Sequence, residues 1–244
     1  MKNFILIALL FNLHLGTYGQ DIFKAIESRN HQELENLLIA KTPTEVFNDK
    51  GLTPIWLAVF KNDTTSLKLL IKYKADINFL EKGGMHPIMI GCLANSFESV
   101  SILIDNGVDV NWKSKASRNQ QPIRFASQGG SLKLVKLLLA KGADMDASPD
   151  DKATPLLASL HAMKFDIAEF YFTSGANVNV IGRDGECVIH EAIKTKNPKM
   201  VKLALIYKAP LDIKDPSGKT TLQLAKQTGN SEIKNMIKDA VDSK

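Results

Sequence analysis

The residues able to carry chemistry are few in this chain, and they are scattered. His14, His31, His86, His161 and His190 are the histidines, and no two stand three or four positions apart, the spacing at which one helix face offers two ligands to a metal. Cys92 and Cys187 cannot make a disulfide framework, and no Cys/His cluster has zinc-ligand spacing. Asp150-Asp151 and Asp166 with Glu169 are acidic neighbours of the kind that shares acid–base work. They fall on a turn and on a helix surface, where solvated charge explains them. No nucleophile motif and no glycine-rich phosphate loop is present. The pattern points away from an enzyme, with neither metal nor cofactor expected.

The elements that position these residues follow from length and composition. The chain has 244 residues, 44% apolar and 23% charged, with a net charge of +5. That is the balance of a folded protein, too apolar for disorder and too mildly basic for a nucleic-acid partner. Residues 1–19 read as a secretory leader. Lys2 supplies the positive charge, Phe4 to Leu15 is almost wholly apolar, and Thr17 and Gly19 sit three and one positions before a cut after Gly19. The apolar run is far shorter than the ~20 residues that span a bilayer. The chain is expected to be exported, after cleavage, with no stable membrane anchor.

A period of 33 residues runs through the remainder. The small residues Ala25, Ala58, Gly91, Ala126, Ser159, Ala192 and Ala225 follow one another at steps of 33, 33, 35, 33, 33 and 33. A second column holds the same steps through Leu37, Leu70, Leu103, Leu138, Tyr171, Ala204 and Ile237. A third reads Leu34, Leu67, Val100, Val135, Ala168, Val201 and Lys234. Repeats of this length are supersecondary units that bury their apolar faces only by stacking. Each unit reads as two short amphipathic helices and a loop.

The unit resembles the ankyrin repeat. Unit two reads GLTPIWLAVFKND then TTSLKLLIKYKADIN, unit four QPIRFASQGGSLKLVKLLLAKGADMD, unit five ATPLLASLHAM with SGANVN, and unit six GECVIHEAIKTKN. Thr-Pro of the family motif stands at Thr53-Pro54 and Thr154-Pro155, while His86-Pro87 and Gln121-Pro122 keep the proline. Proline pre-sets φ at the first helical turn, where no N–H is missed. Gly107, Gly142 and Gly175 are expected to end the second helices in left-handed geometry, with Lys74 and Lys208 in their place elsewhere. His190 alone occupies the motif's helix-start histidine; Trp56, Met89, Arg124, Leu157 and Gln223 stand there in other units. The resemblance implies an all-α solenoid of about seven helix pairs with short hairpin loops. Its boundaries are an N-terminal capping unit 20–47 with Asp21 as helix cap, five full units 48–214, and a C-terminal capping unit 215–241, all in one domain, 20–244. Lys234 and Lys238 give the last unit the polar outer face that seals a stack.

The resemblance also implies where a partner would sit, on the hairpin tips and the solvent side of the first helices. Carried across, the candidate binding residues are Leu52, Phe60, Lys61, Met85, Leu93, Gln128 and His161. Leu52, Phe60, Met85 and Leu93 form either a contact patch or, for Leu52 and Met85, simple packing between hairpins. The 35-residue step puts two extra residues into WKSKASRNQQ, 112–121. There Trp112 with Lys113, Lys115 and Arg118 has the composition of a hot spot, or is a loop that has merely drifted in length. Exported members of the family look like self-protection or immunity proteins that occlude a secreted hydrolase, such as a peptidoglycan endopeptidase. That is the expected function, with a monomer when free. A periplasmic scaffold supporting another enzyme, for instance in oxidative-stress defence, is the alternative.

Overall fold

Why the helices start where they do is written in their caps. The computed structural model describes residues 20–182 and 185–243; the expected leader, 1–19, lies outside the described residues. Two compact units divide between Asp109 and Val110. In the first, helix α1 covers 20–27, followed by α2 (His31–Ile39), α3 (Pro54–Phe60), α4 (Thr64–Lys72), α5 (Pro87–Leu93) and α6 (Phe97–Asp105). The hydroxyl of Thr53 accepts from the backbone N–H of Trp56 at 3.2 Å, and the Asp63 carboxylate accepts from Ser66 N–H at 3.1 Å. Each satisfies a donor that the first helical turn leaves without a partner. His86 takes over the role of threonine at α5. Its Nδ1 accepts from Ile88 N–H at 3.2 Å, and its Nε2 lies 3.1 Å from Asn78 Oδ1. The helix over 20–27 is already under way at Gln20, so Asp21 is not its cap as the sequence suggested.

The second unit holds α7 (Pro122–Gly129), α8 (Leu132–Ala140), α9 (Pro155–His161), α10 (Phe165–Thr173), α11 (Val188–Lys194), α12 (Pro198–Ile206), α13 (Thr221–Gln227) and α14 (Ser231–Asp242). A single 3-10 turn, Lys115–Ser117, precedes them. Thr154 caps α9, and a reciprocal capping box joins Thr220 to Gln223 at α13.

Helices of seven to nine residues are not stable alone in water; neighbours hold them. Within the first unit α3 packs on α4 and α5, and α4 on α2 and α6. Within the second, α7, α9, α11 and α13 form one row and α8, α10, α12 and α14 another. The periodic columns are the core: Ala58, Ala126, Ala192 and Ala225 are fully buried, as are Leu70, Leu103, Leu138 and Tyr171. The need for a small residue is sharpest at Gly91, where an added Cβ would stand 2.7 Å from a Val100 methyl and 2.8 Å from a Val59 methyl. Gly107, Gly142 and Gly175 have φ of +90°, +89° and +84°, and Lys74 and Lys208 hold +68° and +61° at the same place. Lys234 and Lys238 are exposed on α14.

Hydrogen bonds between successive hairpins keep the loops in step. In the first unit Asp76 N–H donates to Glu45 Oε1 at 3.0 Å, and Lys82 N–H to Gly51 O at 3.0 Å. In the second, Asn177 N–H donates to Asp146 Oδ1 at 2.8 Å. Asn111 Oδ1 accepts from Asp144 N–H at 3.0 Å, while its Nδ2 donates to Gly142 O at 2.8 Å. Cys92 and Cys187 are free, buried thiols, and burial pushes both upward in pKa.

Candidate interaction site

The column that ends the first helices is the one that meets solvent. In the first unit Phe60 closes α3 and Leu93 closes α5, and they are 49% and 37% exposed. Phe60 stacks on Trp56 one turn earlier, with ring centroids 5.4 Å apart. That stack fixes one face of the ring, while the rest is left in water. Leu52, Met85 and Lys61 are only half-buried, so Leu52 and Met85 act partly as hairpin packing. The hydroxyl and carboxylate chemistry of this unit is structural. Asp63 accepts from Ser66 Oγ at 2.8 Å and lies 3.0 Å from His31 Nε2. Burial alone would raise its pKa, but the hydrogen bonds of Ser66 and His31 outweigh it and hold the carboxylate low.

The second unit carries a cleft of about 550 Å³. Three of the residues chosen from sequence line it: Arg118, Gln128 and His161. Trp112, half-buried, and the exposed Lys113 and Lys115 belong to the same unit, but they are not among the residues that line the cleft. Four charged lining residues, Arg124, Asp151, Glu186 and Glu191, were not among the binding candidates. Arg124 sits at the third position of α7, with its Nε donating to Ala153 O at 3.2 Å and its Nη2 to Asp151 Oδ2 at 3.4 Å. Burial pulls the guanidinium pKa down, and the Asp151 carboxylate opposes that pull.

Glu186 and Glu191 form the other wall. Their carboxyls hydrogen-bond to each other, and Lys194 reaches both, at 3.3 Å from Glu191 Oε1 and more closely from Glu186 Oε1. The second oxygen of Glu191 lies 3.5 Å from His161 Nδ1. Glu191 is only 7% exposed, and burial followed by the Glu186 contact raises its pKa. Glu186 moves the other way, held low chiefly by the hydrogen bond from Glu191 and then by Lys194. A sequence signal for Glu191 existed: after Lys24 in the first repeat, its column is apolar at Leu57, Ile90, Phe125, Ala158 and Leu224, and Glu191 interrupts it.

His190 is fully buried and its Nε2 lies 3.0 Å from Ile213 O, so it ties α11 to the hairpin ahead of α13. Burial lowers its pKa. No group of three or more His, Cys, Asp or Glu able to hold a metal exists among the described residues.

The comparisons bear on what this arrangement is for. Residues 22–114 match the family described as ankyrin repeats (3 copies). The crystal structure of the human ASB11 ankyrin repeat domain superposes with a TM-score of 0.78 at 20% identity, covering 90% of this chain and 96% of that one. Residues 22–114 carry ankyrin repeats. Curated relatives share them over parts of their length. Phosphocholine transferase AnkX of Legionella pneumophila is 33% identical over 89 residues, 36% of this chain and 9% of that protein. Human ankyrin repeat and SOCS box protein 3 is 29% identical over 211 residues, 85% of this chain and 34% of that protein. The chain thus spans about a third of one of these relatives and about a tenth of the other. Ankyrin repeats are a protein–protein interaction module, an architecture whose stacked units present extended binding surfaces.

Proposed function

We propose that this ankyrin-repeat protein is exported to the periplasm, where it docks on a secreted hydrolase, such as a peptidoglycan endopeptidase, and covers its active site as a self-protection protein. The mechanism is steric: a rigid surface closes a cleft and contributes no chemistry of its own. The observation that carries the reading is the chemistry left in water along the ends of the first helices. Phe60 and Leu93 in the first unit are apolar side chains with about half and a third of their surface unburied. In the second unit, a cleft rich in charged side chains opens at the equivalent helix ends. Export rests on the leader-like residues 1–19 of the sequence.

The test is a pull-down from periplasmic extract with the chain from Gln20 onward, followed by a wall-digestion assay of whatever is captured. Capture of a hydrolase whose activity falls in proportion to added ankyrin-repeat protein supports the reading. Capture of an enzyme that stays fully active overturns inhibition in favour of a scaffold.

A further inference from the structure

The cleft of the second unit has hydrogen-bond donors left over and few acceptors to spare. Arg124 has five N–H bonds, of which one goes to Ala153 O and one to Asp151. Its side chain is only 13% exposed, and its remaining N–H groups border the cleft. The Arg118 guanidinium and the Gln128 amide line the same cleft and hold no side-chain hydrogen bond among the described residues. The acidic groups are committed. Asp151 accepts from Ala153 N–H at 3.1 Å, from Arg124 and from Gln120, while Glu186 and Glu191 hold Lys194 and each other.

We propose that this cleft receives the carboxylate of an aspartate or glutamate carried on a loop of the docked protein, with Arg124, Arg118 and Gln128 donating to it. The inference rests on the docking function proposed above and adds the chemistry of one contact. A planar carboxylate matches the guanidinium fork with two parallel N–H···O bonds. A phosphate dianion matches less well, because Asp151, Glu186 and Glu191 line the same cleft and repel a second negative charge. The turn that presents Arg118 is fixed beforehand. Arg118 O accepts from Asp150 N–H at 3.0 Å, and Asn119 Nδ2 donates to Asp150 Oδ1 at 2.9 Å.

Two arms test this separately from the docking function. In the first, the chain from Gln20 onward, with arginine Nε labelled for NMR, is titrated with three glycine-serine peptides that differ at one central residue: glutamate, glutamine or phosphoserine. The glutamate peptide is expected to shift the Arg124 and Arg118 Nε–H signals saturably, tenfold or more tighter than the glutamine peptide and at least as tightly as the phosphoserine one. Equal response to the glutamine peptide, no response at all, or tighter binding of phosphoserine overturns the carboxylate site, whatever the pull-down yields. In the second arm, Arg118→Gln and Arg124→Gln are measured against the captured hydrolase. Each is expected to weaken binding about tenfold or more, with Arg118→Gln leaving the thermal midpoint unchanged because that side chain is exposed. Binding by Arg118→Gln as tight as by the parent chain overturns the proposal. If no hydrolase is captured, the inhibitor reading falls while the peptide arm still decides the site.

Discussion

The hydroxyls of Ser127 and Tyr171 lie 2.7 Å apart in the buried interior of the second unit, joined across 44 residues of sequence. Ser127 also donates to Ile123 O at 2.8 Å, so the tyrosine hydroxyl is the donor to Ser127. Burial, with the Ser127 bond opposing it, pushes the Tyr171 phenol upward in pKa. Ser127→Ala leaves that phenol buried without its acceptor and is expected to cost about 1–3 kcal/mol. Tyr171→Phe removes the stranded group, so the double variant should lose less than the sum of the two singles. Urea denaturation of the four proteins checks this; strict additivity would mean that the two groups do not interact.

His86 makes stability depend on pH. Burial lowers its pKa from 6.5 to about 4, with Asp76 and Asp109 opposing the shift. The unfolded chain therefore binds this proton more readily than the folded one. The contribution is fully present above pH 6.5 and is lost as pH falls towards 4, on the order of 3 kcal/mol in all. Protonation at Nδ1 would also cancel the acceptor that caps α5. His86→Thr restores a cap of the kind seen at Thr53 without a titrating group. The variant should lose less stability than the parent between pH 7 and pH 4.5; equal losses would refute this role.

Lys74 and Lys208 occupy left-handed backbone where glycine stands at 107, 142 and 175. Replacing either lysine with glycine should relieve the Cβ strain and stabilise the fold by about 0.5–1 kcal/mol. The greater freedom of glycine in the unfolded chain offsets part of the gain. A midpoint that falls in both variants would show that the lysine side chains contribute more than the strain costs.

Phe60 and Trp112 separate binding from folding. Phe60→Ala and Trp112→Ala should each lower affinity for the protein captured in the pull-down by about 2 kcal/mol, near thirtyfold, while Phe60→Ala barely moves the thermal midpoint. Leu138→Ala is the contrast. Leu138 is fully buried, and its truncation should cost about 2–5 kcal/mol of stability. Unfolding by Phe60→Ala, or unchanged binding by both aromatic variants, would remove these residues from the interface.

The repeat was legible because its signal is carried by packing. A small residue every 33 positions and an apolar column twelve residues later are what helix stacking demands, and the core obeys both. The caps were partly legible. Thr-Pro announces itself, whereas His86 does the work of threonine through a ring nitrogen that no pattern of hydroxyls would suggest. The cleft was less legible for a physical reason. Arg124 was visible only as a departure from the motif's histidine, and Glu191, three residues before Lys194, has the spacing of an ordinary surface pair. Only the packing of α11 against α9 turns that pair into a buried carboxyl contacting Glu186 and His161.

The stitches on either side of residues 112–121 give that loop an unusual latitude. Asn111 is pinned to Gly142 and Asp144, and Arg118 and Asn119 to Asp150, so both ends are anchored to the next hairpin whatever lies between them. The two extra residues of the 35-residue step were absorbed there without disturbing the buried columns that follow, Ala126 and Leu138 among them. The stretch between the anchors, where Lys113, Lys115 and Ala116 face water, is therefore where foreign sequence can be spliced in: a protease site, a dye-labelling cysteine or an affinity tag. Here the chain accepts a change of length as a longer bow in the thread between two knots.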